Sequence, residues 1–219
     1  MHNIVQNLVD IQNKINAHLD EHKIDKVPKI IAVSKTFKIE KILPLIDHGH
    51  KHFGENKVQE AVDKWTEIKL SNPNIQLHLI GKLQTNKVKF ALKIFDYIHS
   101  VDSEKLAKKI SDEQIKINKK IKIFIQVNIG QEDQKSGTNV NELSSLISYC
   151  NKINLDVVGL MCIPPINEDP VIYFEKMKKL NEENKFNELS MGMSSDYLKA
   201  AMNNATYLRI GSSIFGQRY

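Results

Sequence analysis

Along the first twenty positions, Ile4, Val5, Leu8, Ile11, Ile15 and Leu19 recur at steps of three and four. That spacing predicts an amphipathic helix over about residues 2–20. After a polar connection to Pro28 the pattern changes, and short β-branched runs begin to alternate with amphipathic stretches. The runs 30–34, 50–56, 77–81, 97–101, 122–128, 157–163, 188–192 and 207–211 read as eight strands. Between them, residues 57–70, 86–95, 103–115, 140–151, 171–184 and 195–203 carry helical periodicity. Strands alternating with helices of this length imply parallel βαβ units. Their regular succession, with no linker or break in composition, predicts one domain over residues 1–219: a closed (β/α)8 barrel with an extra amino-terminal helix. An open doubly wound sheet is the alternative, but its G-x-G-x-x-G turn is missing from the sequence.

Composition narrows this picture. At 41% hydrophobic and 26% charged, the 219-residue chain has ample material for a core. No run approaches the roughly 18 to 20 apolar residues of a bilayer crossing, and the amino terminus lacks a basic start followed by an apolar block. The expectation is a cytoplasmic protein with neither a membrane span nor a secretory signal, its two cysteines, Cys150 and Cys162, reduced. The net charge of +5 raises the question of a nucleic-acid partner. Its lysines, as in residues 105–122, alternate with acidic and apolar residues, the pattern of a solvated helix face and not of a polyanion groove. No nucleic-acid partner is expected. Of 31 basic residues only Arg209 and Arg218 are arginine, and where arginine persists in so lysine-rich a chain its planar, permanently charged fork has a reason to be there.

Barrel enzymes carry their chemistry at the carboxyl ends of the strands. In this sequence those ends offer Lys35; Glu55 and Asn56; Gly81 and Lys82; Ser100; Asn128; Met161 and Cys162; Ser190, Met193 and Ser194; and Arg209, Gly211 and Ser212. Lys35 closes an apolar strand and would face the barrel mouth, where desolvation favours the neutral amine that attacks aldehydes. A lysine snorkelling from the strand end is the plainer reading of that position alone. In Arg209-Ile210-Gly211-Ser212-Ser213, a glycine and two hydroxyls stand where a last strand meets a short helix, a common place for phosphate. The small-residue segment 190–196 would flank the same phosphate.

These segments match a family. Ala32-Val33-Ser34-Lys35, His52-Phe53-Gly54-Glu55-Asn56 with Gln59-Glu60, the segment 78–87, Ser190-Met191-Gly192-Met193-Ser194 with Asp196, and Arg209-Ile210-Gly211 with Phe215-Gly216 resemble, in order and spacing, the YggS family of pyridoxal phosphate homeostasis proteins. The resemblance spans essentially the whole chain. It implies a barrel like the amino-terminal domain of alanine racemases, with pyridoxal 5′-phosphate held as a Schiff base on Lys35. It also implies that Gly211, Ser212 and Ser194 cradle the phosphate, that Arg209 partners the pyridine nitrogen, and that Asn56 and His78 line the ring or the mouth. The implied role is to hold the cofactor and regulate its free level, with apo-enzymes as partners and no turnover reaction. A racemase-like enzyme acting on amino acids is the alternative. Racemases dimerise through an added β domain; none follows here, so a monomer is expected.

The remaining features read more plainly. His48, His50 and His52 could suggest a metal, but a loop entering a strand accounts for them, and no metal site is expected. Lys135 reads as a solvated lysine on a polar loop near the mouth. Met161, Met191 and Met193 read as packing at the barrel end, and Trp65 as a buried anchor of its helix.

Overall fold

The computed structural model describes residues 4–132 and 134–217; Arg218 lies outside them. Among the described residues the chain opens with α1 (Ile4–Glu21) and then runs through eight parallel strands, each paired with the next and the last with the first. The first half comprises β1 (Lys29–Val33), α2 (Ile39–Asp47), β2 (His52–Glu55), α3 (Val58–Ser71), β3 (Gln76–Leu79), α4 (Val88–Ile94) and β4 (Tyr97–Val101). The second half comprises α5 (Glu104–Ile117), β5 (Lys122–Gln126), α6 (Leu143–Lys152), β6 (Asp156–Met161), α7 (Pro170–Glu183), β7 (Glu188–Met193), α8 (Tyr197–Met202), β8 (Tyr207–Ile210) and α9 (Ser212–Phe215).

All eight predicted strands are present, several a residue or two shorter at the carboxyl end because the chain there leaves the sheet to build the mouth. The periodicity reading passed over α2, which is only nine residues long and carries Pro44 inside it, a residue that removes a helix hydrogen bond. The stripe of α1 is buried at Ile4, Leu8, Ile11, Ile15 and Leu19, as its spacing predicts. The helix α5 begins with Ser103 accepting from the Leu106 N–H and ends on Asn118 at φ 48°, a left-handed cap that asparagine tolerates. Its lysines are largely paired along the helix, Lys108 with Asp112 and both Lys109 and Lys116 with Glu113. This is the solvated face that the sequence suggested. No helix among the described residues is long and apolar enough to cross a membrane.

Strand alternation divides the barrel into two layers. Outward positions such as Ile30, Ala32, Leu77, Leu79, Ile123, Ile125, Leu208 and Ile210 meet the helices in one large aliphatic core. Inward positions Ile31, Tyr97, Phe124, Met161 and Tyr207 fill the interior below the mouth. Of the three methionines, Met161 belongs to this interior and Met191 to the outer core, whereas Met193 reaches the mouth.

Candidate functional site

The carboxyl ends of the strands open into a cavity of about 580 Å³. Lys35, Asn56, Ser194, Arg209, Gly211 and Ser212 all line it. His78, also expected there, does not. It sits on β3 two residues before the cavity-lining Ile80, so the two-residue strand period places it one layer deeper, fully buried. Of the other strand-end residues, Glu55 lies on the opposite face of β2 and meets α3, while Lys82 and Asn128 line a neighbouring depression that shares Ile80, Gly81 and Ile163 with the cavity.

Lys35 follows β1 on a turn in which Thr36 adopts φ 70°. A β-branched residue there costs about 1–3 kcal/mol and persists only when its surroundings hold it. The hold is visible: the Thr36 N–H donates to Glu60 Oε1 at 2.6 Å, and Lys64 bonds the same oxygen at 3.0 Å. Lys64 also donates to the Ser34 carbonyl at 3.1 Å and to Glu55 Oε1 at 3.0 Å. That Glu55 oxygen accepts in addition from Ser34 Oγ at 2.7 Å and from Trp65 Nε1 at 3.0 Å. Both neighbours of Lys35 are therefore tied to a buried carboxylate–lysine network on β2 and α3. Burial alone would raise the Glu60 carboxyl, but the Thr36 N–H and Lys64 bring it below its ordinary pKa. Trp65 is buried against Phe53 as expected, yet it also serves as a donor. Lys64 escaped the sequence reading because a Glu60–Lys64 pair four apart looks like surface decoration.

On the opposite wall, Ser194 Oγ accepts from the Gly211 N–H at 3.2 Å and the Ser213 N–H at 3.4 Å. Two backbone donors at the start of α9 thus converge on one neutral hydroxyl, in a place where an anion's oxygens would accept more strongly. The segment is shaped by Asp196 Oδ1, which accepts from the Met193 N–H at 2.6 Å, and by Gly192 at φ 87°, where an added Cβ would lie 2.5 Å from the Ala200 Cβ. Across the mouth, an added Cβ at Gly81 would lie 2.3 Å from the Asn56 carbonyl oxygen, so glycine allows β2 and β3 to meet there. The Asn56 side-chain oxygen is buried with no hydrogen-bond donor among the described residues. A buried acceptor left in this state calls for a ligand or water.

Arg209 is buried, donating from Nη1 to Ser190 Oγ at 2.7 Å and from Nη2 to the Cys162 carbonyl at 2.7 Å. Burial lowers its pKa, but a guanidinium remains charged in proteins. Burial pushes the Cys162 thiol up to about 12, and the thiol of Cys150 is likewise raised, to about 11. Both cysteines are free, and both stay protonated and unreactive near neutrality. Lys135 is more constrained than a solvated loop residue. It pairs with Glu132, donates to the Pro164 carbonyl at 3.3 Å and lines the neighbouring depression. Of the three clustered histidines, His50 donates from Nε2 to the His52 carbonyl at 2.9 Å, and His52 Nδ1 contacts His78. His52 therefore belongs to the barrel interior and not merely to a loop.

Comparison with known proteins follows the same lines. The family model for the alanine racemase N-terminal domain matches residues 7–219. The pyridoxal phosphate homeostasis protein of Pasteurella multocida is 34% identical over 98% of this chain and 97% of its own length. That of Aquifex aeolicus is 38% identical over 87% of each. Among solved structures, PipY of Synechococcus elongatus with PLP bound superposes with a TM-score of 0.80 at 32% identity, covering 92% of this chain and all of that one. Alanine racemase of Clostridium difficile, at 16% identity and a TM-score of 0.76, shares the fold, this chain spanning 57% of its length. By matched length and identity, the chain belongs to the family of pyridoxal phosphate homeostasis proteins, built on the alanine racemase N-terminal domain.

Proposed function

We propose that this cavity holds pyridoxal 5′-phosphate and that the protein acts in cellular homeostasis of that cofactor, carrying it without a turnover reaction of its own. The observation that carries the reading is the meeting, in one cavity, of a lysine on a braced turn, two backbone N–H groups converging on Ser194, and a buried arginine. When bound, the cofactor supplies an aldehyde that condenses with a neutral amine and releases water. Lys35 is the amine placed to take it. Ser194, Ser212 and the backbone of Gly211 hold the phosphate, and Asn56 offers its buried oxygen to a donor on the ligand. Arg209 would serve the ring nitrogen, where its permanent cation would disfavour a proton and leave the ring a weak electron sink. A weak sink suits a carrier better than transamination. The Pasteurella multocida and Aquifex aeolicus relatives are named for homeostasis and not for a reaction, which supports the same reading.

Borohydride reduction followed by peptide mapping tests the assignment. The loaded protein is expected to carry its pyridoxyl label on the peptide containing Lys35, and Lys35→Ala to lose it entirely while remaining folded. Recovery of the label mainly on another lysine would overturn the central role. Carriage without turnover further predicts negligible α-proton exchange into deuterated solvent across a panel of amino acids.

A further inference from the structure

Three imidazoles run in series through the barrel interior below the cavity. His52 Nδ1 lies 3.0 Å from His78 Nε2, His78 Nδ1 lies 2.9 Å from His99 Nε2, and His99 Nδ1 lies 2.9 Å from Ser190 Oγ. Arg209 donates to that same hydroxyl. The chain therefore crosses from the start of β2 through β3, β4 and β7 to the cavity wall on β8. His78 stacks on Tyr97 and His99 on Phe124, each with ring centroids 4.3 Å apart, which fixes both ring planes. Burial lowers the pKa of all three, to about 4 at His52 and well below the ordinary value at the other two. Near neutrality each ring thus carries one N–H.

Proton counting leaves two arrangements. Each of the three contacts takes one proton, and a neutral imidazole brings a single N–H for its two nitrogens. In one arrangement Ser190 donates to His99 and each ring donates away from Arg209, leaving the last N–H on His52 Nε2. In the other, each ring donates towards Arg209 and the Ser190 hydroxyl proton is left over. A mixture would oppose two N–H groups, or two lone pairs, across one contact. The buried charge of Arg209 decides between them. Its hydrogen bonds to Ser190 Oγ and the Cys162 carbonyl involve no carboxylate, and Asp196 adds only a longer-range attraction. A cation held this way is stabilised by dipoles whose negative ends face it. The first arrangement presents them.

We infer that His52, His78, His99 and Ser190 form a single proton-ordered array that positions Arg209 and stabilises its charge, with all three rings in the Nε2–H form. These are positioning residues. Only the functional consequence rests on the cofactor reading: a ring docking against Arg209 is felt at His52, at the other end of the array.

Nitrogen-15 NMR of the imidazoles, first on the full-length protein without added cofactor, tests the array. The wild-type protein is expected to give the Nε2–H tautomer at all three rings. Ser190→Ala removes the donor at the head of the chain, and the tautomer signals of His99, His78 and His52 are expected to change together. Ser190→Thr, which keeps a hydroxyl, is expected to restore them. An Nδ1–H tautomer at His99 in the wild-type protein overturns the inference, even if the alanine variant fails to fold; so does a Ser190→Ala change confined to His99. Pyridoxal 5′-phosphate is then expected to shift the His52 and His78 resonances of the wild-type protein. Nε2–H tautomers together with no label on Lys35 would leave the array standing and remove the cofactor reading, and the reverse pair would do the opposite.

Discussion

Lys35 and Arg209 reach the same cavity, but the bonds described around them grip different parts of each residue. Around Lys35 the grip is on its neighbours: the Thr36 N–H and both the hydroxyl and the carbonyl of Ser34 are held by carboxylates and a lysine of β2 and α3. Around Arg209 the grip is on the side chain itself, through Ser190 Oγ and the Cys162 carbonyl. The difference suits the work proposed for each: fixing the backbone beside an amine sets where it can meet an aldehyde, and fixing a guanidinium sets where its charge stands.

The severest way to break this comparison is to remove the carboxylate on the lysine side. Glu55→Leu strands Lys64, Ser34 and Trp65 without their shared acceptor, and the expected cost is about 3–5 kcal/mol, read from the urea unfolding midpoint. Acid is a milder probe, acting on the histidines at the entry to β2, of which His52 belongs to the array that ends at Arg209. His50 and His52 have pKa values lowered to about 4, chiefly by burial, so the unfolded chain binds protons more readily than the folded one between pH 6.5 and 4. Their contribution to stability is complete above about pH 6.5 and is lost as pH falls through that window. Between pH 7.5 and 5 the expected loss is about 1–2 kcal/mol for each ring, allowing for water at their partly exposed edges, and equal unfolding midpoints at the two pH values would refute it. Trp65→Phe keeps the ring packing against Phe53 and deletes one hydrogen bond to Glu55, for about 1 kcal/mol in the same unfolding assay. The smallest effect is spectroscopic. Arg209→Gln is expected to leave labelling of Lys35 intact while moving the visible band of the loaded protein towards that of a ring-protonated cofactor, and an unchanged band argues against the ring-nitrogen role.

Much of this site could be read from local pattern. The alternation of β-branched runs with amphipathic stretches gives the barrel, and the position of Lys35, Gly211 and Ser212 just past strand ends gives two facing walls of the cavity. What local pattern could not convey is contact across the ring of strands. The partners of Arg209 sit at residues 162 and 190, and the imidazoles at 52, 78 and 99 become neighbours only once strand stagger is fixed. His78, which the family resemblance puts at the ring or the mouth, proves to lie a layer below, as the two-residue strand period requires. Lys64 illustrates the opposite difficulty, since a helical spacing that normally marks an exposed pair here marks a side chain only 9% exposed.

The pairing of β8 with β1, which sets Ile31 against Arg209 and Ile30 against Leu208, has a consequence in time. A chain synthesised from its amino end, at about 5–20 residues per second, has every member of the Glu55–Glu60–Lys64 network that braces Ser34 and Thr36 in hand once Trp65 has emerged. The wall facing Lys35 is made last, from residues 194–213, and comes into place only when the final strand docks against the first. Until that closure the lysine proposed to take the cofactor has no proposed phosphate cradle opposite, and on that reading loading with cofactor reports that the ring has shut.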